Sequence, residues 1–281
     1  MAERSDPRPI GVFDSGVGGL TVLAELHRRL PGEPTLYLGD NARTPYGPRP
    51  AAEVARFTLE AVDWLLKQDV KLLVLACNTA TARALPEVRR RSTVPVVGVV
   101  RPGAVAAAAA TRAKQVGVIA TAGTVDSGAY HDAIVEADAA IEVAQQACPE
   151  LVPMVEDGIL GGRRAESVLR AYLEPLRAAH PTMDTLLLGC THYPLLRPAI
   201  ERIMGAEVAV VDSAFTTALA VEDLLDALGS RAPGDAGPVR HRVTTTGDVD
   251  AFVTVARRLF GDALPEVEAV AIEPAAPLPV D

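Results

Sequence analysis

The chain has 281 residues, of which 49% are hydrophobic and 22% charged, a composition that excludes a disordered protein. A chain of this length is expected to form about two domains. The formal net charge of −9 argues against broad binding to nucleic acid or to anionic membranes, because both require a basic surface.

Short apolar runs alternate with helical patterns along the whole chain. The runs, each predicted to be a strand, are Pro9–Phe13, Thr35–Leu38, Lys71–Ala76, Val94–Val100, Gln115–Ala120, Ile141–Ala144, Thr185–Leu188, Glu207–Val211, Arg240–Thr246 and Glu266–Ile272. The predicted helices are Leu20–Leu30, Ala51–Lys67, Ala80–Arg90, Ala106–Ala110, Arg163–His180, Leu195–Met204, Phe215–Leu228 and Val249–Phe260. Uninterrupted apolar strands that alternate with helices predict parallel sheets covered on both faces, which is an α/β fold.

Two predicted strands, about one domain apart, end in the same way. Lys71–Thr79 and Asp184–His192 each run through apolar residues to a small residue, a cysteine and two polar residues, and a helix follows. Ligands of open α/β sheets lie outside the carboxyl ends of the strands. Two such units that face each other would therefore present Cys77 and Cys190 to one cleft.

A thiol beside a helix N-terminus is stabilised as a thiolate and can then act as a base. The alternative for Cys77 and Cys190 is that each is a small buried apolar residue, which is how we interpret Cys148. Two acid–base groups on opposite faces of one carbon suit stereoinversion, whereas a hydrolase requires one nucleophile with a dedicated base. His192, two residues after Cys190, could relay protons to it.

The segment Ile10–Leu20 combines a strand, a Gly-rich turn and a helix start, so its N–H groups could receive a carboxylate. Thr21 stands where a dinucleotide-binding motif needs its third glycine, which argues against a nicotinamide cofactor. The alternative is a tight turn in which Asp14 acts as a cap.

The segment Leu38–Gly47 is a second strand followed by a polar loop. Asp40 could hold an ammonium group or a positive partner, and Arg43 could clamp a carboxylate. Tyr46 and Gly47 could offer backbone N–H groups. The alternative is a solvated turn.

The cofactor expectations follow from what these motifs lack. The only lysines are Lys67, Lys71 and Lys114, all outside the motifs, so a pyridoxal phosphate enzyme with its Schiff-base lysine is not expected. No His/Cys cluster has metal-site spacing, so we expect no metal. No apolar run is long enough to span a membrane, and the first nine residues do not form a signal peptide. With only three cysteines, we expect reduced thiols in the cytoplasm.

Taken together, these motifs resemble those of the glutamate racemases, within the cofactor-independent aspartate/glutamate racemase superfamily. The resemblance runs from about Pro9 to about Gly261. It is carried by Val12–Gly19, Gly39–Gly47, Ala76–Ala80, Cys148–Pro149, Leu188–Leu195, Val211–Ala214 and Thr246–Asp248.

The resemblance implies interconversion of L- and D-glutamate without a cofactor, which supplies D-glutamate for peptidoglycan. Cys77 and Cys190 are then the proton donors and acceptors, with Asp14 assisting Cys77 and His192 assisting Cys190. The positions that resemble substrate contacts are Asp14, Ser15, Tyr46, Gly47, Asn78, Thr79, Thr191 and His192. Asp40 and Glu156 match further acidic positions near the site.

The resemblance also implies two pseudo-symmetric α/β domains with the active site in the cleft between them. Residues 1–101 and 213–281 would form the first domain, and residues 102–212 the second. We expect a homodimer. The alternatives are a related racemase or isomerase acting on aspartate or maleate, and an added binding role as an inhibitor of DNA gyrase.

Overall fold

The computed structural model of the chain describes residues 5–234, 237–261 and 265–274. Two sequence-based expectations fall partly or largely outside these residues. They are a polar loop at Arg231–Pro238 and a frayed tail from Glu273 onwards, of which only the parts within the described ranges have a structure here.

Strands and helices alternate through the described chain. The strands are β1 Ile10–Asp14, β2 Thr35–Gly39, β3 Leu72–Leu75, β4 Val96–Gly98, β5 Gln115–Ala120, β6 Glu142–Ala147, β7 Thr185–Gly189, β8 Ala209–Asp212, β9 His241–Thr245 and β10 Val267–Ala269. The α-helices are α1 Leu20–Arg29, α2 Ala51–Leu66, α3 Asn78–Arg91, α4 Val100–Ala110, α5 Ala122–Val125, α6 Ala129–Ala137, α7 Leu151–Glu156, α8 Gly162–Ala179, α9 Arg197–Met204, α10 Ser213–Leu228 and α11 Val249–Phe260. A 3₁₀ helix covers Tyr193–Leu196.

The strands form two sheets, and every strand pair is parallel. The first sheet has the order β10-β9-β2-β1-β3-β4, and the second has the order β6-β5-β7-β8. This arrangement confirms the predicted α/β class. The first sheet takes its strands from both ends of the described chain, and the second takes its strands from the middle. The residue boundaries given above for two domains stay a prediction.

Helices α4 and α10 connect the two sheets. Helix α4 leads from β4 to β5, and α10 follows β8 on the way back to β9. The two helices pack against each other, and both bury small side chains such as Ala104, Ala107 and Ala218. Small side chains allow the two helices to approach closely where the chain passes from one sheet to the other.

Two elements differ from their prediction for physical reasons. The apolar run Val94–Val100 suggested one long strand, but β4 ends at Gly98, and the buried Val100 already belongs to the first turn of α4. An apolar run alone does not separate a buried strand from a buried helix turn. Helix α6 was not predicted, because only Tyr130 and Ile134 on it are buried and two residues make a weak periodic pattern.

Helix α11 begins with a side-chain cap. The Asp248 carboxylate accepts a hydrogen bond from the Ala251 N–H at 2.7 Å. We expect Asp248→Ala to lower the free energy of unfolding by about 1 kcal/mol, because a free N–H group of the first turn loses its acceptor. Chemical denaturation measures this loss. Asp250→Ala, in the same turn, is the matched control, and an equal loss in both variants would contradict the capping role.

Two histidines stack at the start of β9, far along the chain from each other. The ring centroids of His27 and His241 lie 3.8 Å apart, and both rings contact the Thr35 hydroxyl, at 2.9 and 3.0 Å. Burial, together with the charge of His241, lowers the pKa of His27 to about 4, and burial lowers the pKa of His241. The folded protein therefore favours neutral rings.

This stack predicts a loss of stability in acid. The unfolded chain binds protons near the ordinary histidine pKa of about 6.5, while the folded chain resists them until about pH 4. The contribution of His27 to the free energy of unfolding is thus complete above about pH 6.5, and it decreases as the pH falls towards 4. We expect the melting temperature of His27→Gln to fall less than that of the parent between pH 7 and pH 4.5. Parallel pH dependences of the two proteins would contradict this expectation.

Candidate active site

A small cavity lies between the carboxyl ends of the two sheets. Its volume is about 210 Å³, which suits a ligand of amino-acid size better than a drug-sized molecule. The residues that line it are Ser15, Thr44, Pro45, Tyr46, Gly47, Pro48, Cys77, Asn78, Thr79, Thr121, Ala122, Pro149, Val152, Pro153, Cys190, Thr191 and His192. The cavity thus contains both thiols that follow the matching strands β3 and β7.

Cys77 is the N-cap of α3. Its Sγ accepts a hydrogen bond from the Ala80 N–H at 3.4 Å, and its thiol donates to Ser15 Oγ at 3.4 Å. Burial and the nearby Asp14 carboxylate raise the pKa of Cys77 to about 12, although the hydrogen bonds with Ser15 and Ala80 oppose this rise. At neutral pH, Cys77 therefore holds its proton and can donate it.

Asp14 ends β1 directly behind Cys77 and is buried. Its Oδ2 accepts the Gly16 N–H at 2.9 Å, and its Oδ1 is buried without a hydrogen-bond partner. Burial raises the pKa of Asp14, while the charge of His192 and the N–H groups of Gly19 and Gly16 oppose that rise. Asp14 does not line the cavity, so it can act on a ligand only through neighbours such as Cys77 in this conformation.

Cys190 contacts His192, and His192 in turn contacts Glu156. Cys190 Sγ lies 3.9 Å from His192 Nδ1, and His192 Nε2 lies 2.9 Å from Glu156 Oε1. Burial lowers the pKa of His192, but the hydrogen bonds and charges of Cys190 and Glu156 outweigh burial and raise it to about 10. An imidazolium therefore stands beside the Cys190 sulfur at neutral pH. A neighbouring cation of this kind interacts favourably with the thiolate form of a cysteine.

The local structure after Cys190 differs from that after Cys77. We predicted a helix at the end of each matching strand, and Cys77 does cap α3. Cys190 instead precedes a 3₁₀ helix that begins at Tyr193, with His192 as its N-cap. The two thiols are thus set in different surroundings, one by a helix N-terminus and the other by an imidazole.

Hydroxyl and amide groups form the polar wall of the cavity. The Thr79, Thr121 and Thr124 hydroxyls form a triangle, with oxygen–oxygen distances of 2.9, 3.2 and 3.1 Å. Asn78 is buried, and its Nδ2 has no hydrogen-bond partner in the protein. These groups, with Ser15, can donate hydrogen bonds to a bound carboxylate.

Asp40 and Arg43 do not face the cavity as substrate groups. Asp40 is fully buried; its Oδ2 accepts from the Tyr46 hydroxyl and from Arg43 Nε, the latter at 2.7 Å, and its Oδ1 accepts from the Thr246 hydroxyl at 2.7 Å. Arg43 also pairs with Glu60 and lies over the Phe57 ring. The suggestion that Arg43 clamps a ligand carboxylate is therefore wrong, since two carboxylates of the protein already hold it. Asp40 instead fixes Tyr46, which lines the cavity.

Gly16 and Gly18 of the Gly-rich turn serve packing. A Cβ at Gly18 would lie 2.4 Å from Thr191 Oγ1 and 2.5 Å from the His192 ring, so glycine permits this close approach. The Gly16 N–H is taken by Asp14, and neither glycine lines the cavity. The two glycines therefore position Thr191 and His192, while Ser15 of the same turn lines the cavity. The suggestion that N–H groups of this turn receive a ligand carboxylate stays a prediction.

Nine of the twelve predicted site residues line the cavity, namely Ser15, Tyr46, Gly47, Cys77, Asn78, Thr79, Cys190, Thr191 and His192. Asp14 does not line it, but its charge acts on Cys77. Asp40 and Glu156 lie behind Tyr46 and His192. The sequence analysis missed Thr121, which directly follows β5 and so stands at the same sheet edge as the thiols. The carboxyl-end rule that selected the cysteines would also have selected Thr121.

Two further observations bear on the kind of site. Within the described ranges, no group of three or more His, Cys, Asp or Glu residues is arranged to hold a metal ion. A search of the same ranges also finds no helix that is long and apolar enough to cross a membrane.

Comparison with known proteins places the chain among racemases. The Asp/Glu/Hydantoin racemase family model matches residues 10–221. A glutamate racemase of Parafrankia sp. is 50% identical over 268 residues, which are 95% of each chain. The crystal structure of a glutamate racemase isoform from Bacillus anthracis is 41% identical and superimposes with a TM-score of 0.89, covering 96% of this chain and 98% of that one. The glutamate racemase of Francisella tularensis in complex with D-glutamate is 32% identical, with a TM-score of 0.86 and coverage of 95% and 98%.

Proposed function

The chain belongs to the Asp/Glu/hydantoin racemase family, and we propose that it interconverts L- and D-glutamate with two cysteines and no cofactor. The observation that carries this proposal is the placement of the two thiols. Cys77 and Cys190 follow strands of different sheets and line one small cavity. Each thiol has its own polar partners, so the cavity offers two separate acid–base groups to one bound carbon.

In one direction of the reaction, Cys190 acts as the base and Cys77 as the acid. Cys190, beside the His192 imidazolium, removes the α-proton: the Cα–H bond breaks, an S–H bond forms, and the electron pair moves into the α-carboxylate. Cys77, which holds its proton at neutral pH, then donates it to the opposite face of Cα and becomes a thiolate. In the reverse direction the two cysteines exchange these roles.

Proton transfer alone does not account for the reaction. General acid–base catalysis contributes roughly 10²–10⁴-fold, which is too little for so weak a carbon acid. The negative charge that grows on the α-carboxylate must therefore be stabilised by donors that are already in place. The free Nδ2 group of Asn78 and the hydroxyls of Ser15, Thr79 and Thr191 are our candidates.

Glutamate is the substrate that the relatives favour. The relatives reported above are named glutamate racemases, and one of them was crystallised with D-glutamate. Aspartate remains the alternative substrate, because the cavity lining alone does not set the length of the side chain. We further propose that the enzyme acts in the cytoplasm, as a homodimer, and supplies D-glutamate for peptidoglycan. No described residue favours binding to DNA gyrase, and we leave that role out of the proposal.

Incubation of the purified protein with L-glutamate in D₂O tests this function. We expect the optical activity to decay to zero, as followed by circular dichroism, while NMR shows deuterium at Cα. Aspartate under the same conditions is the comparison substrate. Deuterium exchange of aspartate but not glutamate would overturn the substrate, and no exchange of either acid by the folded protein would overturn the activity.

A further inference from the structure

Tyr130 lies behind both thiol loops and has no place in the mechanism above. It is fully buried on α6, and its hydroxyl donates to Asn78 Oδ1 at 2.5 Å. Burial raises the pKa of Tyr130, and a hydrogen bond with the Ser213 side chain opposes that rise. The phenol therefore joins Ser213, at the start of α10, to Asn78, next to Cys77.

Two glycines leave room for this ring. A Cβ on Gly189, the residue before Cys190, would lie 2.8 Å from Tyr130 Cε2. A Cβ on Gly103, on α4, would lie 3.4 Å from the Tyr130 hydroxyl oxygen and 3.2 Å from Ser213 Cβ. The ring is thus packed against the strand that carries Cys190, while its hydroxyl reaches the loop that carries Cys77.

The hydrogen-bond directions fix the orientation of the Asn78 amide. An amide oxygen can only accept, so the single phenol hydrogen is directed to Asn78 Oδ1, and the phenol oxygen is left as the acceptor in its bond with Ser213. With Oδ1 held by Tyr130, the amide turns its Nδ2 group the other way, and that group has no partner in the protein. The reversed amide would place an oxygen where a bound carboxylate needs a donor.

We propose that Tyr130 is a positioning residue that holds the Asn78 amide with its N–H groups towards the substrate carboxylate. This inference rests on the proposed function, because it assigns the ligand of the free amide to that substrate. Tyr130 lies on α6, Asn78 on α3 and Ser213 on the connecting helix α10. The orientation of the amide therefore depends on how the elements around the two sheets are assembled.

The variant Tyr130→Phe keeps the ring and removes only the hydroxyl. Asn78 Oδ1 then loses its buried donor, so the amide turns Oδ1 towards the cavity and presents an acceptor to the carboxylate. We expect KM for both enantiomers of glutamate to rise roughly tenfold or more. We expect kcat to fall as well, because the same amide N–H group stabilises the charge that grows on the α-carboxylate. Glutarate, an unreactive dicarboxylate, should bind more weakly by the same factor in calorimetry.

Two comparisons separate positioning from general structural support. Tyr193→Phe removes another buried tyrosine hydroxyl, one that donates to the Cys148 carbonyl at 2.9 Å, and should leave KM and glutarate binding at the parent values. In an Asn78→Ala background, Tyr130→Phe should change glutarate binding by less than about twofold, because its target is gone. Ser213→Ala, which keeps the whole phenol, should weaken glutarate binding by a smaller factor than Tyr130→Phe.

The racemisation of glutamate by the parent is measured first. A parent that fails to racemise glutamate would overturn the proposed function, and this is visible without any variant. A parent that is active, together with Tyr130→Phe and Ser213→Ala variants that bind glutarate as the parent does, would overturn the role of Tyr130. An equal loss of glutarate binding from Tyr130→Phe in the parent and in the Asn78→Ala background would overturn this role of Tyr130 as well.

Discussion

Replacement of either Cys77 or Cys190 with serine is expected to lower kcat/KM for glutamate by about 10³-fold or more, in both directions of the reaction. A serine hydroxyl is a far weaker acid than a thiol. It therefore rarely ionises to become the base, and it donates its proton poorly to a carbanion. Since each thiol takes part in both directions, once as acid and once as base, neither variant should retain a fast direction. A coupled assay or circular dichroism measures the loss.

Cys148→Ser is the matched control for this prediction. Cys148 is buried and free like the other two cysteines, but it does not line the cavity, and its thiol contacts the Gln146 carbonyl at 3.6 Å. Its replacement tests what the loss of a buried thiol does to the fold alone, and kcat/KM should stay within a few-fold of the parent. Racemisation at the parent rate in Cys77→Ser or Cys190→Ser would refute the two-thiol mechanism.

A deuterium label distinguishes the two thiols. In each direction one thiol removes the α-hydrogen and the other returns a proton from solvent. With α-deuterated glutamate, residual activity of Cys190→Ser should show a larger isotope effect for the enantiomer whose proton Cys190 removes. Cys77→Ser should show the larger effect for the other enantiomer. The same enantiomer showing the larger effect in both variants would contradict the assignment of one thiol to each face.

Much of the fold follows from local sequence patterns. The run Gln115–Ala120 is a strand with the predicted bounds, because a strand covered on both faces is apolar along most of its length. The order of the strands does not follow from such patterns. Strand β9 pairs with β2, although most of the chain separates them. That pairing depends on long-range packing and not on any local signal.

The site shows the same division between local and long-range information. Cys77 and Cys190 could be selected because both follow buried strands, and strand ends of parallel sheets meet at one edge. The partners of Arg43 could not be selected, since Glu60 lies on the next helix and its contact with Arg43 depends on how α2 packs. Tyr130 was missed for a similar reason: its bond to Asn78 joins elements that are distant along the chain.

Glu156 is expected to set the pH dependence of the reaction through His192. His192 has a pKa of about 10: burial lowers it, but Cys190 and Glu156 raise it by a larger amount. The imidazolium is therefore present below about pH 10 and is lost as the pH rises through that value. We expect kcat/KM of the parent to fall on this alkaline side, because kcat/KM reports the protonation of the free enzyme.

Glu156→Gln removes the negative charge 2.9 Å from His192 Nε2 while it keeps a polar side chain of similar size. Burial, which lowers the pKa of His192, is then opposed by Cys190 alone, so this pKa falls. The pH at which kcat/KM decreases on the alkaline side should therefore move down by roughly one to three pH units. Within that interval, kcat/KM of the variant should be at least about tenfold below that of the parent, because each pH unit beyond the pKa removes about nine-tenths of the imidazolium. The measurement is a pH profile of kcat/KM for each enantiomer.

Glu150→Gln supplies the control for that shift, since Glu150 accepts a hydrogen bond from the Tyr172 hydroxyl at 2.9 Å on the exposed side of the same region. It removes one negative charge from the protein but none from the partners of His192, so its alkaline limit should match that of the parent. An equal shift in Glu150→Gln would mean that net charge sets the limit. An unshifted limit in Glu156→Gln would mean that the ionisation on the alkaline side belongs to a group other than His192, and the role of the Glu156–His192 pair beside Cys190 would then have to be abandoned.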